Sequence, residues 1–253
     1  MTKHIWYDLV TPNLKAAQKF YSAVVGWKIV DAGMPGMSYA IVNAGDISVG
    51  GMMQSPKGTT DPDMQPHWNG HVYVPDVDAS TQQAVAAGAK ICREPSDIPG
   101  IGRFAVIADP QGATLILFKP NSTETPKPVA PDTAGHIGWR ELHTSDAAAA
   151  WTFYGGLFSW TKSSVFDMGQ FGPYYIFATG GDDAGGIMNK MPDTPKSHWL
   201  YYFNVDGIDA AIVRVKKAKG KIVMGPHQVP TGHWIAQCTD PQGAAFALLS
   251  LKP

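Results

Sequence analysis

The chain has 253 residues, enough for two ordinary domains, with 44% hydrophobic and 16% charged residues and a formal net charge of −1 at pH 7. That balance gives no long-range attraction for polyanions, so nucleic acid is not an expected partner, and no run approaches the ~20 apolar residues of a membrane span. Met1-Thr2-Lys3-His4-Ile5-Trp6 leads straight into a strand-like pattern without a secretory signal, which makes a cytoplasmic location the expectation.

Alternation from Ile5 to Val10 predicts a strand. Thr11-Pro12 then reads as an N-cap with proline at the first helical position, and Leu14, Ala17, Phe20, Tyr21 and Val24 mark one helical face. Strands are predicted over 27–30, 39–42 and 47–53. A polar, Pro-rich stretch from Gln54 to Pro66 separates this module from a second one of the same order, with a strand over 71–74, a helix near 78–87, and strands near Ile91 and over 104–107 and 114–118. The region 121–135 carries Pro126, Pro128 and Pro131 among Ser, Thr, Asn and Asp, as an extended linker does.

Beyond the linker the pattern returns. Trp6-Tyr7-Asp8-Leu9-Val10-Thr11 reappears as Trp139-Arg140-Glu141-Leu142-His143-Thr144, Phe20-Tyr21 as Phe153-Tyr154, Gly50-Gly51 as Gly185-Gly186, His67-Trp68 as His198-Trp199, and Asp109-Pro110-Gln111-Gly112 as Asp240-Pro241-Gln242-Gly243. The offset stays between 131 and 135 residues, so only short loop insertions distinguish the copies. The expected organisation is a first domain over 1–120, the linker, and a second domain over 136–253, four β-α-β-β-β modules in all. Cys92 and Cys238 show no redox or zinc spacing and are expected to be buried small side chains, while Lys216, Lys217, Lys219 and Lys221 read as the solvated end of a helix.

That modular order, the Asp-Pro-Gln-Gly turn before the last strand of each half, and the Phe-Tyr helix followed by Gly26-Trp27 or Ser159-Trp160 resemble the vicinal oxygen chelate superfamily, which contains glyoxalase I, bleomycin resistance proteins and extradiol dioxygenases. The closest resemblance is to fused two-domain members labelled antigen-like or hydroxylase-like. It implies an α+β fold of tandem modules, with two glyoxalase-like domains, each a curved mixed sheet around a cleft. It also implies where a divalent ion would be held. Fourteen residues before the helical phenylalanine stand Trp6 and Trp139; on the fourth strand stand Gly51 and Gly186; on the first strand of the second module stand His71 and Tyr202; four residues after the turn glycine stand Ile116 and Ala247. An indole offers only an N–H donor and glycine offers nothing, so no metal site of the family type and no cofactor are expected.

Strand alternation sends Trp139, Glu141 and His143 to one face, with Tyr202 and Asn204 across from them in the implied cleft. Glu141 and His143 are the candidate catalytic pair, either serving as a general base, and the alternative is a satisfied buried network. Trp6, Asp8, His71, Tyr73, Arg103, Trp139, Tyr202, Asn204, His233 and Trp234 are candidate ligand-binding residues. Two functions follow: a binder of a small, aromatic or apolar molecule, monomeric or homodimeric, or a metal-independent lyase, isomerase or hydroxylase-like enzyme. A metal enzyme with displaced ligands is a third. No phosphate-cradling glycine loop or Gly-x-Ser-x-Gly elbow is present to support nucleotide or serine hydrolase chemistry.

Overall fold

In a computed structural model of the chain, residues 2–34, 36–59, 65–123 and 129–253 are described. The first module comprises β1 (His4–Thr11), α1 (Leu14–Val24), β2 (Lys28–Asp31), β3 (Tyr39–Ala44) and β4 (Ile47–Gln54), and the second β5 (His67–Tyr73), α2 (Val77–Ala86), β6 (Lys90–Ile98), β7 (Gly102–Ala108) and β8 (Thr114–Pro120). The third comprises β9 (Ile137–Thr144), α3 (Ala147–Phe158), β10 (Thr161–Asp167), β11 (Pro173–Thr179) and β12 (Asp182–Asn189), and the fourth β13 (His198–Asn204), α4 (Ile208–Lys217), β14 (Lys221–Gln228), β15 (Trp234–Thr239) and β16 (Ala245–Ser250). The strands form two eight-stranded mixed sheets, ordered β2-β3-β4-β1-β5-β8-β7-β6 and β10-β11-β12-β9-β13-β16-β15-β14. This is the expected α+β architecture. Among the described residues no helix is long and apolar enough to cross a membrane.

Each helix lays one stripe on a sheet. On α1 the buried residues are Leu14, Ala17, Phe20, Tyr21 and Val24, the stripe that 3.6-residue periodicity marks. The helix starts two residues later than the expected Thr11 cap, because Asn13 Oδ1 accepts the Ala16 N–H at 3.1 Å, leaving Thr11 fully buried at the strand end. Cys238 is buried, but Cys92 is exposed: it stands on β6 at a sheet edge, where both faces of the strand meet solvent. The basic cluster falls as expected in the last turn of α4 and just after it, at the negative pole of the helix dipole.

The chain condenses into two compact units, and each draws on both halves of the sequence. One contains α2, β6, β7 and β8 with α3, β10, β11 and β12; the other contains α1, β2, β3 and β4 with α4, β14, β15 and β16. Within the first, the Tyr154 hydroxyl donates to Asp109 Oδ2 at 2.9 Å and accepts the Trp199 indole N–H at 3.2 Å. Within the second, Tyr21 donates to Asp240 Oδ2 at 3.2 Å and accepts from Trp68 at 2.9 Å. Each aspartate belongs to an Asp-Pro-Gln-Gly turn, which it closes by accepting two backbone N–H groups at its other oxygen. The helix of one half is thus bonded to the turn of the other. Residues 60–64 and 124–128, in the two Pro-rich stretches named above, lie outside the described residues; the end of the linker is anchored by Asn204 Nδ2, which donates to the carbonyls of Pro131 and Thr133.

Candidate functional site

In the first half, Asp8 sits on β1 directly beside Gly51 of β4. Tyr39 of β3 pairs with Met53, which places Gly51 diagonally from it on the same face. Because Gly51 has no side chain, the Tyr39 ring crosses over it and donates its hydroxyl to Asp8 Oδ1 at 2.7 Å. A Cβ on Gly51 would lie 1.9 Å from that hydroxyl and 2.7 Å from Asp8 Oδ1, so the position admits nothing larger. The Trp6 indole N–H is shared between Asp8 Oδ1 at 3.1 Å and the Tyr39 oxygen at 3.0 Å. Burial, then the Asp8 charge, push the Tyr39 phenol well above its ordinary range, so it stays a donor.

The second half repeats this construction with one change of chemistry. Glu141 of β9 lies beside Gly186 of β12, and the Tyr174 ring of β11 crosses that glycine to donate to Glu141 Oε2 at 2.8 Å. The second donor is no longer an indole: His143 Nε2 lies 2.8 Å from Glu141 Oε1, with both residues buried. A carboxylate oxygen accepts, so His143 Nε2 donates to Glu141 Oε1. The His143 ring stacks on His198 at the start of β13, centroids 5.1 Å apart and planes 6° from parallel. His198 Nδ1 donates to the Lys196 carbonyl at 3.1 Å, as His67 Nδ1 does to the Gln65 carbonyl at 2.7 Å in the first half. Where the second half has His143, the first has Val10, and no corresponding ring pair forms there.

The remaining sequence candidates are dispersed. Asn204 does not face Glu141 as expected but turns its amide to the linker carbonyls, and Tyr202 accepts from Gln237 Nε2 at 3.1 Å within an apolar cluster of Leu200, Ile235, Ala247 and Leu249, against which Trp139 packs. Arg103, expected to meet an anionic ligand group, spends its guanidinium on Asp78 Oδ2 at 2.6 Å, Asp78 Oδ1 at 2.8 Å and Asp97 at 2.9 Å, on the surface. His233 bridges Asp132 at 2.9 Å beside the linker, next to half-buried Trp234 at the start of β15. His71 is buried on β5, edge-on to Phe118 at 5.5 Å, and Tyr73 ends that strand half-buried. Tyr39 and Tyr174 are expected from the sequence only as flat apolar surface near the cleft walls, and their role as donors to the carboxylates, like the place of His198 beside His143, is what sequence reasoning missed. Their signal was present in Gly51 and Gly186, since a glycine inside a strand marks a close approach from a neighbour.

At the positions where the resemblance implies metal ligands, His71 registers beside Ile116 and Tyr202 beside Ala247. Gly51 and Gly186 are covered by phenols, and Trp6 presents an N–H. Among the described residues no group of three His, Cys, Asp or Glu side chains is placed to hold an ion.

Comparison with known proteins agrees with this architecture. The chain is 33% identical over 252 residues to CFP32 of Mycobacterium tuberculosis, which carries a provisional glyoxylase name, across 98% of this chain and 94% of that protein. It is 27% identical over 259 residues to the anthracycline biosynthesis protein DauV of Streptomyces sp., across 98% of this chain and 92% of that protein. Among solved structures, the Mn(II)-bound glyoxalase from Novosphingobium aromaticivorans superposes with a TM-score of 0.67 at 17% identity, covering 99% of this chain and 82% of that one, which shows a shared fold. The family model described as Glyoxalase/Bleomycin resistance protein/Dioxygenase superfamily matches residues 3–117 and again 133–248, so the chain belongs to that superfamily twice over.

Proposed function

We propose that the chain binds a small aromatic or otherwise apolar molecule and moves a proton on it at the second-half cluster, with His143 as the base and without the divalent ion typical of the superfamily. The observation that carries this reading is the exchange of donors to the paired carboxylates. Asp8 is held by an indole and a phenol, whereas Glu141 is held by a phenol and an imidazole, and of these donors only an imidazole has a second ring nitrogen to offer a ligand. The sequence left Glu141 and His143 as equal candidates for the base. Two contacts favour His143 for that role: both Glu141 oxygens meet donors, and with Nε2 directed at Glu141 the other ring nitrogen is the one that would meet a ligand.

In this reading Tyr174 fixes Glu141, and Glu141 fixes the His143 tautomer and stabilises the imidazolium that forms when Nδ1 takes a proton from an acidic C–H or O–H. The bonding pair stays on the ligand as an enolate or phenolate, and the same proton can return to a different atom. The donor set at the family's ligand positions, with tryptophan, glycine, isoleucine and alanine among them, does not fit a divalent ion, which supports a metal-independent route. An aromatic ligand class is supported by the Tyr174 and His198 rings at the cluster and by the relative named for anthracycline biosynthesis.

The test is carbon-proton exchange. A panel of aryl ketones and aryl β-diketones is incubated in D2O with protein treated with a chelator, and loss of the α-proton signal is followed by NMR. Exchange above buffer rates, reduced about 100-fold or more by His143→Phe and by Glu141→Gln and far less by Asp8→Asn, is the expected result. Equal losses at Glu141 and Asp8, or exchange that vanishes with the chelator and returns with Mn(II), would reject it. A purely sequestering protein is the second reading, favoured by the full hydrogen bonding of Glu141; it would bind members of the panel at wild-type affinity without exchanging them.

A further inference from the structure

We propose that His198 is a positioning residue for His143: its stacked ring holds the imidazole in the plane that keeps Nε2 on Glu141 and turns Nδ1 toward a ligand. The inference rests on the reading of His143 as the base. Three observations support it. The rings have centroids 5.1 Å apart and planes 6° from parallel, an offset stack that restrains rotation of His143 about its Cβ–Cγ bond. His198 is itself held by the Lys196 carbonyl, which fixes its proton on Nδ1, so it enters the contact already oriented. The anchor has an equivalent at His67 in the other half but the stack does not, so the second half added the ring that the anchor supports rather than the anchor itself.

The charges around His198 act in the same direction. Burial lowers its pKa first and the neighbouring His143 lowers it next; the Lys196 carbonyl and the Glu141 carboxylate oppose, and Lys190, whose ammonium is bound to the Thr194 carbonyl, lowers it slightly. Tyr174, the remaining ionisable side chain at the cluster, donates to Glu141. The bond to the carboxylate belongs to His143, and His198 stands beside it as a flat support.

The experiment is 15N NMR of full-length protein labelled in its histidine side chains, titrated through pH 5–8, with His198→Ala, His198→Phe and His143→Phe beside the wild type. In wild type, His143 is expected as a single Nε2–H tautomer, and His198 protonates only below the ordinary histidine range. His198→Ala should average the His143 ring signals between tautomers; His198→Phe, which restores a flat ring without an ionisable group, should return them to one. His143→Phe should raise the pH at which His198 titrates. Unchanged His143 signals in both His198 variants, or a His198 titration indifferent to His143, would overturn the proposal, and if His198→Ala does not fold, the His143→Phe and His198→Phe titrations decide alone. The readout needs no turnover: tautomer averaging without carbon-proton exchange would reject the base and keep the positioning role, whereas exchange with unmoved His143 signals would do the reverse.

Discussion

At the scale of residues, the most consequential side chain is one that is missing. Gly186 lets Tyr174 reach from two strands away to Glu141, and a Cβ there would lie 2.1 Å from the phenol oxygen and 2.2 Å from Cζ. Gly186→Ala is expected to expel the ring, at a cost of about 1–3 kcal/mol in urea unfolding, and to release Glu141 from one of its two donors. Tyr174→Phe should cost less in stability yet loosen the same carboxylate, which a double-mutant cycle with Glu141→Gln would measure. His4 supplies a separate prediction. Its ring lies between Trp160 at 5.7 Å and Trp199 at 5.5 Å, and burial first, then the Arg140 charge and His71, hold its pKa well below the ordinary histidine value. The unfolded chain takes up this proton near pH ~6.5 whereas the folded chain refuses it, so His4 contributes stability that is present above that pH and lost as pH falls toward the folded value. The urea midpoint should drop between pH 7 and pH 5, and His4→Phe, which keeps a ring between the tryptophans, should reduce the drop.

At the scale of elements, the Trp-Tyr-Asp relays tie helices to turns. Each tyrosine hydroxyl is both donor and acceptor in a buried setting, so Tyr154→Phe removes the bond to Asp109 and leaves the Trp199 N–H without this acceptor, a loss of about 1–3 kcal/mol by denaturant unfolding, with Tyr21→Phe comparable. Burial raises the pKa of both Asp109 and Asp240 against the turn N–H groups that lower it. The sign is opposite to that of His4. A carboxyl with a raised folded pKa contributes stability below the unfolded value near ~3.9 that is lost as pH rises through the folded value, so Asp109→Asn, which removes that contribution, should steepen the loss of stability toward acid. Strand pattern also explains what was legible beforehand. Period-two alternation placed Glu141 and His143 on one face of β9, and they do meet. It also placed Asn204 on the facing strand, but a residue at the last position of β13 reaches the linker, where the Pro131 and Thr133 carbonyls accept its amide. Tyr174 was not assignable to Glu141, because the register of β11 and β12 is set by an irregularity after Phe177 that no local pattern shows.

At the scale of the whole molecule, duplication made the fold readable and also obscured its packing. The repeat gives four modules and two sheets directly, since matched anchors recur at a near-constant offset. It says nothing about which module condenses with which, and the compact units combine elements of both halves through the tyrosine-to-aspartate bonds. Cutting the chain once should therefore not part it. With a protease site inserted after Asn121, the nicked protein is expected to elute from size exclusion at the intact volume and to separate into fragments only in denaturant.

The anchored His67 has a further implication for the evolution of this scaffold. The first half already holds an imidazole pinned to a carbonyl, a tyrosine laid over a glycine and a carboxylate beneath it, and lacks only the side chain that Val10 replaces. Val10→His would supply it in one substitution. The first sheet thus holds the supports of the second-half cluster without its histidine, and the variant should show a new histidine resonance coupled to Asp8 while the second-half cluster stays undisturbed.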